Sequence, residues 1–258
     1  VFLLRKWYFD VTAPDGSVAI AYWAEVRWGL WVKRASALFR HPSPKPGWRF
    51  GVPTGAEPTE QPGSIAWQAA ELGCRLRLYP LLPPSEHRLL DLPPGAVVWR
   101  AVAPRAEAEF VFDDGSTVAG PGYAEWVELR MPPWKLPIST LRWGRFLSRS
   151  TSLVWIAWDG GHPLRLVLRD GVSVPPIAID DSTVRMEGAI LELSEPVPLA
   201  DADVSVMLAP SVLRPVAERL TDTWQTRWLS RGQFTDRDGI GVGGTAIHEV
   251  VRWGGTHG

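Results

Sequence analysis

Tyr123 and Glu125 stand two residues apart in the run Gly120-Pro121-Gly122-Tyr123-Ala124-Glu125-Trp126. In an extended strand such residues share a face. A tyrosine can donate a hydrogen bond or a proton, and a carboxyl taken out of water can serve as a general acid at neutral pH. A second charged set lies in Tyr22–Trp28, where Trp23, Glu25 and Arg27 share one face and Tyr22, Ala24, Val26 and Trp28 the other. If the first face points inward, Glu25 and Arg27 are buried charges that pair or hold a ligand. If it points to water, they form an ordinary surface pair. His248 sits among Ala246, Ile247, Val250 and Val251. It is a candidate proton shuttle or a hydrogen-bonded structural histidine. The candidate catalytic residues are Glu125, Tyr123 and Glu25.

Fifteen tryptophans mark the chain. Indole favours packed interfaces and the walls of apolar pockets. Trp23, Trp126, Trp143, Trp155 and Trp158, with Arg27, Arg145 and His248, are therefore candidate ligand-binding residues. The same tryptophans could equally fill barrel cores. Other chemistries find no support. The histidines His41, His87, His162, His248 and His257 offer no metal-ligand spacing, and Cys74 is alone. There is no Gly-x-Ser-x-Gly elbow and no phosphate-binding loop. The glycines of 239–244 run into a strand pattern, which argues against a dinucleotide fingerprint. Neither metal nor cofactor is expected.

Charge excludes further classes. Lys and Arg number 27 against 28 Asp and Glu, so overall charge gives no general attraction to nucleic acid or anionic lipid. No run approaches the ~18–20 apolar residues of a spanning helix, and the opening residues lack the apolar stretch of a secretory leader. A cytoplasmic protein without stable membrane insertion is expected.

The elements that must carry these residues read as β. Twenty-four glycines and 24 prolines punctuate short strand-like runs. Residues 4–11 and 18–28 are joined by Pro14-Asp15-Gly16-Ser17, and 107–112 and 117–130 by Asp113-Asp114-Gly115-Ser116, both good turn sequences. Further strands are expected at 139–147, 152–158, 186–193, 204–208 and 244–253. Two proline-rich stretches, 41–63 and 80–95, read as long loops. Met131–Pro137 reads as a linker or corner, because its prolines remove ladder donors. Leu213, Val216, Leu220 and Trp224 recur at helical spacing, so a short helix is expected at 211–221.

Several patches together resemble a known superfamily. They are Gly120-x-Gly122-Tyr123-x-Glu125, Pro132-Pro133-Trp134-x-Leu136-Pro137 and Leu141-x-Trp143-Gly144-Arg145-Phe146, with Trp7-Tyr8-Phe9-Asp10, Val154-Trp155-Ile156-x-Trp158 and Ala246-Ile247-His248-Glu249-x-Val251-Arg252-Trp253. This set resembles the carotenoid 1,2-hydratase (hydroxyneurosporene synthase)-like superfamily, which includes AttH-like proteins. The resemblance implies an all-β fold of two lipocalin-like antiparallel barrels in tandem, here divided as 1–147 and 148–258. It implies chemistry on apolar small molecules: hydration of isoprenoid double bonds, or cyclisation in natural-product biosynthesis. The chain departs from the hydratases after Tyr123 and Glu125, where Trp126-Val127-Glu128-Leu129 replaces an acidic, His- and Asn-rich stretch. The expected function is a cofactor-independent lyase or isomerase on an isoprenoid or polyketide-like molecule, acting by acid-assisted hydration, isomerisation or cyclisation in a Trp-lined pocket. The alternatives are a non-catalytic carrier of an apolar ligand and a purely structural protein.

Overall fold

The structure, a computed structural model, describes residues 1–42, 47–93, 95–203 and 223–253. The chain divides into two compact units, Val1–Leu136 and Pro137–Gly258. Each is a curled antiparallel sheet, so the expected all-β architecture of tandem lipocalin-like barrels holds. The expected 211–221 helix and 204–208 strand lie outside the described residues.

The first unit runs β1 (Phe2–Thr12), β2 (Val18–Trp28), β3 (Trp31–His41), β4 (Trp48–Gly51), β5 (Thr59–Gln61), β6 (Ser64–Ala69), β7 (Cys74–Pro80), β8 (Ser85–Leu92), β9 (Gly95–Phe112) and β10 (Thr117–Leu129). Its sheet order is β4-β3-β2-β1-β10-β9-β7-β6-β5, with β8 also paired to β9. Alternation along each strand builds the core. Trp7, Phe9 and Val11 of β1 join Ala19, Ala21 and Trp23 of β2, Trp67 of β6 and Phe110 of β9 in one cluster. Trp7 stacks on Phe9 with ring centroids 5.6 Å apart, and Phe9 on Trp67 at 6.2 Å.

The second unit runs β11 (Ile138–Leu147), β12 (Ser152–Gly160), β13 (Leu164–Arg169), β14 (Val172–Val174), β15 (Pro176–Ile179), β16 (Thr183–Met186), β17 (Ala189–Asp203), β18 (Thr223–Asp236) and β19 (Gly241–Trp253). The order is β14-β13-β12-β11-β19-β18-β17-β16-β15. Phe146, Leu153, Trp155, Met186, Leu191 and Phe234 fill its core.

Three expectations change. The stretches expected as loops carry strands, since β4 and β5 fall within 41–63 and β8 within 80–95. β4 and β5 are three or four residues long, and β8 buries one side chain, Leu90, so hydrophobic alternation does not reveal them. The strand β3 forms where the sequence pattern assigns none; its charged first half, with Lys33 and Arg34, hides the buried Ala37, Leu38 and Phe39. The division falls at Leu136/Pro137 rather than 147/148, because β11 pairs with β12 and β19 in the second sheet. The proline corner at Met131–Pro137, not the end of β11, marks the change of sheet.

Candidate active site

Both faces of β1 are buried, and they differ in chemistry. Trp7 and Phe9 face the apolar core, so Tyr8 and Asp10 face the other way. On β10, Ala124 joins the core, which places Tyr123 and Glu125 on the same opposite face. The register then makes a square. Tyr8 stands across from Glu125, and Asp10 across from Tyr123. Each tyrosine bonds the carboxylate of its own strand. Tyr8 Oη donates to Asp10 Oδ2 at 2.7 Å, and Tyr123 Oη donates to Glu125 Oε2 at 2.8 Å. The two phenol rings lie 6.0 Å apart, and Tyr8 also packs on Tyr22 at 5.1 Å. Trp99 of β9 donates its indole N–H to the same Glu125 Oε2 at 2.6 Å. Beyond it, His87 of β8 packs on Trp99 at 5.8 Å and shares a 2.8 Å hydrogen bond with Ser85.

The backbone explains why Tyr123 and Glu125 sit here. A Cβ on Gly120 would meet the Thr12 carbonyl oxygen at 2.5 Å, and one on Gly122 the Asp10 carbonyl oxygen at 2.7 Å. Only glycine lets β10 approach β1 this closely at these two positions. Opposite Gly122–Glu125, the pairing with β9 slips twice. Pro104, which has no N–H to donate, falls within that irregular stretch of β9. Bulges of this kind re-aim side chains.

Electrostatics separates the members. Burial drives the Tyr123 hydroxyl well above its ordinary pKa, and the nearby Glu125 charge, its hydrogen bond, Asp10 and Tyr8 push the same way. Tyr123 therefore keeps its proton and acts as a donor. Glu125 Oε2 accepts from both Tyr123 and Trp99. Asp10 and Glu125 are 0% and 4% exposed.

Glu25 has a different fate. It lies on the core face with Trp23, not beside Glu125. Its carboxylate takes Arg5 Nη2 and Arg27 Nε on Oε1, each at 2.7 Å, and Arg34 Nε on Oε2 at 2.8 Å. Burial alone would raise its pKa; bonds from Arg5, Arg27 and Arg34 outweigh that and hold it at about 2. The expectation that Glu25 is a proton donor is thus corrected, because three guanidinium groups keep it ionised. Arg27 serves Glu25 and is half exposed. One row deeper on the same face, Trp7, Trp23 and Ser36 stand side by side across β1, β2 and β3. Trp7 Nε1, Trp23 Nε1 and Ser36 Oγ are buried and have no hydrogen-bond partner among the described residues. Trp126 packs, partly buried, against this core.

The remaining candidates belong to the second unit and lie on both faces of its sheet. Trp155 is in the core cluster, over Gly144. His248 is on the core face, 5.2 Å from the Trp228 ring and in a 2.8 Å hydrogen bond with Ser230. Burial pulls its pKa down to about 4, against the pull of Asp181 and Glu249, so the imidazole is neutral at pH 7. Trp143, Arg145 and Trp158 lie on the opposite face. Arg145 Nη1 donates to the Thr245 carbonyl at 3.1 Å, and Trp158 Nε1 to the His162 carbonyl at 2.6 Å. Beside them Arg227, 1% exposed, donates through Nε to Glu249 at 2.9 Å.

The sequence singled out Tyr123 and Glu125, and the structure places Tyr8, Asp10 and Trp99 beside them. The Tyr8-x-Asp10 spacing repeats that of Tyr123-x-Glu125, and that echo was the available signal. Trp99 needed the β9–β10 register. A cavity of about 490 Å³ elsewhere in the first unit is lined by Thr54, Glu57, Trp67, Arg75, Arg77 and Glu109 among others. Neither Glu25 nor Glu125 lines it.

Two curled antiparallel sheets in tandem, the first bearing a buried tyrosine–carboxylate square, define a lipocalin-like tandem protein. No family model and no curated protein matches the sequence. Solved structures with the same fold include kievitone hydratase from Nectria haematococca, at TM-score 0.56 and 9% identity over 96% of this chain and 88% of that one. CghA in complex with Sch210972 matches at TM-score 0.55 and 12% identity, over 99% and 89%. A Nitrosomonas europaea protein described as an AttH matches at TM-score 0.55 and 12% identity, over 96% and 91%. The likeness establishes the fold, and it agrees with the AttH-like resemblance drawn from the sequence.

Proposed function

We propose that this chain is an enzyme that exchanges a proton with an apolar, isoprenoid or polyketide-like small molecule, using Glu125 as the exchanging group. The observation that carries the reading is the buried square of Tyr8, Asp10, Tyr123 and Glu125. Two carboxyl groups away from water, each gripped by a phenol, suit proton transfer better than structure alone. A hydratase among the proteins that share the fold points the same way.

In the hydration direction, the Glu125 carboxyl delivers its proton to an alkene carbon and is left as a carboxylate. Tyr123 and Trp99 hold that charge through Oε2. The neighbouring carbon becomes cationic, and aromatic faces stabilise it. Water then adds, and its surplus proton returns to Glu125. Loss of an adjacent proton to the Glu125 carboxylate instead gives isomerisation, and attack by a second double bond followed by loss of a proton from the ring cation to that carboxylate gives cyclisation. Tyr123 positions the carboxyl and keeps its own proton throughout.

The test is a panel of prenylated phenols, kievitone included, and linear polyenes, followed by mass spectrometry for gain of water or isomeric change. The chain is expected to convert at least one member. Glu125→Gln is expected to slow it about 10²–10⁴-fold and Tyr123→Phe at least about tenfold. Unchanged turnover in both variants would overturn the assignment.

The carrier reading is favoured by one observation, the row of partnerless donors Trp7, Trp23 and Ser36 on the core face. Buried donors without acceptors are costly, and a ligand oxygen would satisfy them. It predicts tryptophan quenching by a panel member without conversion, undisturbed by Glu125→Gln.

A further inference from the structure

The turn between β2 and β3 is apolar, unlike several other hairpin turns among the described residues. Those turns are polar at Asp15-Gly16-Ser17, Asp114-Gly115-Ser116 and Asp236–Gly239. Here Trp28 pairs with Trp31 across a two-residue turn, Gly29-Leu30, with Gly29 at φ 59°. Leu30 is 100% exposed, Trp31 70%, Val32 50% and Trp28 45%. Four apolar side chains therefore project from one tip. Trp28 rests on Trp134 at 5.6 Å and on Phe2 at 6.3 Å, which gives the tip an aromatic base.

Cations ring this tip. Lys33 Nζ lies 5.9 Å from the Trp31 ring centroid, and Lys135 follows Trp134 and is exposed. Arg27 and Arg34 are each half exposed, while the carboxylate they share, Glu25, is buried beneath them. From Glu25 to Arg34, three cations (Arg27, Lys33, Arg34) stand against one anion, a surplus of two positive charges.

We propose that the β2–β3 tip docks reversibly on an anionic lipid bilayer, Leu30 and Val32 entering the acyl boundary, Trp28 and Trp31 lying at the headgroup level, and Lys33, Arg27, Arg34 and Lys135 facing the anionic headgroups. Tryptophan prefers that level, and lysine and arginine near it gain from negative lipid. A protein partner fits less well. A standard interface needs roughly 800 Å² from each side, and a convex two-residue turn presents only its tip. Docking of this kind needs no spanning segment, and it stands whether or not the proposed reaction is correct.

The experiment is co-sedimentation of the whole chain with vesicles of phosphatidylcholine alone and of phosphatidylcholine mixed with phosphatidylserine. Binding to the mixed vesicles is expected, weaker on phosphatidylcholine and weakened by salt. The double variant Leu30→Asp, Trp31→Asp is expected to lose about tenfold or more in partitioning, with an unchanged thermal midpoint because both side chains lie outside the core. Leu30→Phe is expected to keep binding, which guards against a folding artefact. Lys33→Glu is expected to reduce the preference for phosphatidylserine. The proposal is overturned if the chain sediments with neither vesicle or if the double variant partitions like its parent. It is also overturned if sedimentation velocity shows a dimer that the double variant loses, which would make the tip a protein interface.

Discussion

Glu25 and Glu125 share a side chain, and their neighbours divide them. Three guanidinium groups surround Glu25, whereas Glu125 Oε2 takes a phenol and an indole. Charge partners stabilise an ionised carboxylate. Because the Glu25 pKa is depressed to about 2, its contribution is fully present above the ordinary glutamate range near 4.5 and is lost as pH falls through about 2. Allowing for the solvent-screened arginines, Glu25→Gln is expected to cost about 2 kcal/mol at pH 7. Urea unfolding of both proteins should show that gap close as the pH is lowered from 4.5 towards 2. A gap that persists at pH 2 would place the effect in packing instead. Which glutamate is which was not legible in the sequence. Arg27 is two residues from Glu25, but Arg5 and Arg34 reach it only through the β1–β2–β3 register.

At the scale of elements, the Gly120-x-Gly122 pattern is a packing device before it is a motif. It lets β10 lie close to β1 just where β9 bulges, and so aims Tyr123 and Glu125 beside Tyr8 and Asp10. A Cβ on Gly122 would crowd Ala108 Cβ as well as the Asp10 carbonyl. Gly122→Ala is expected to cost about 1–3 kcal/mol. It should also shift the backbone amide resonances of Asp10 and Tyr123, read by NMR. Unshifted resonances and an unchanged thermal midpoint would contradict this role. The long alternating strands were readable from sequence, because apolar and polar residues take turns along them. Strands β4, β5 and β8 were not, since they bury too little to impose a pattern.

For the whole molecule, tandem β architecture was legible because turn residues recur between apolar runs along the entire chain. The change of sheet was misplaced by about ten residues, since β11 continues smoothly from the proline corner and only its ladder partners reveal its sheet. The two units also differ in how acid reaches them. His248 in the second unit is held neutral, its pKa down to about 4. Its contribution is complete above the ordinary histidine value near 6.5 and is lost as pH falls through about 4. Up to about 3 kcal/mol is at stake. The second unit is expected to weaken between pH 6.5 and 4, before Glu25 is protonated in the first. Hydrogen exchange across that range checks the order, and His248→Gln should flatten the response of the second unit.

In the proposed reaction the Glu125 carboxyl hands a proton to carbon. Carbon-bound deuterium, measured by mass spectrometry after incubating the alkene panel with the chain in heavy water, reads that step whether the outcome is hydration, isomerisation or cyclisation. Label is expected in at least one alkene, with a loss of about 10² or more in Glu125→Gln and retained labelling in Glu25→Gln. Label that enters at the same rate in Glu125→Gln, or that enters no alkene with the unaltered chain, would contradict it.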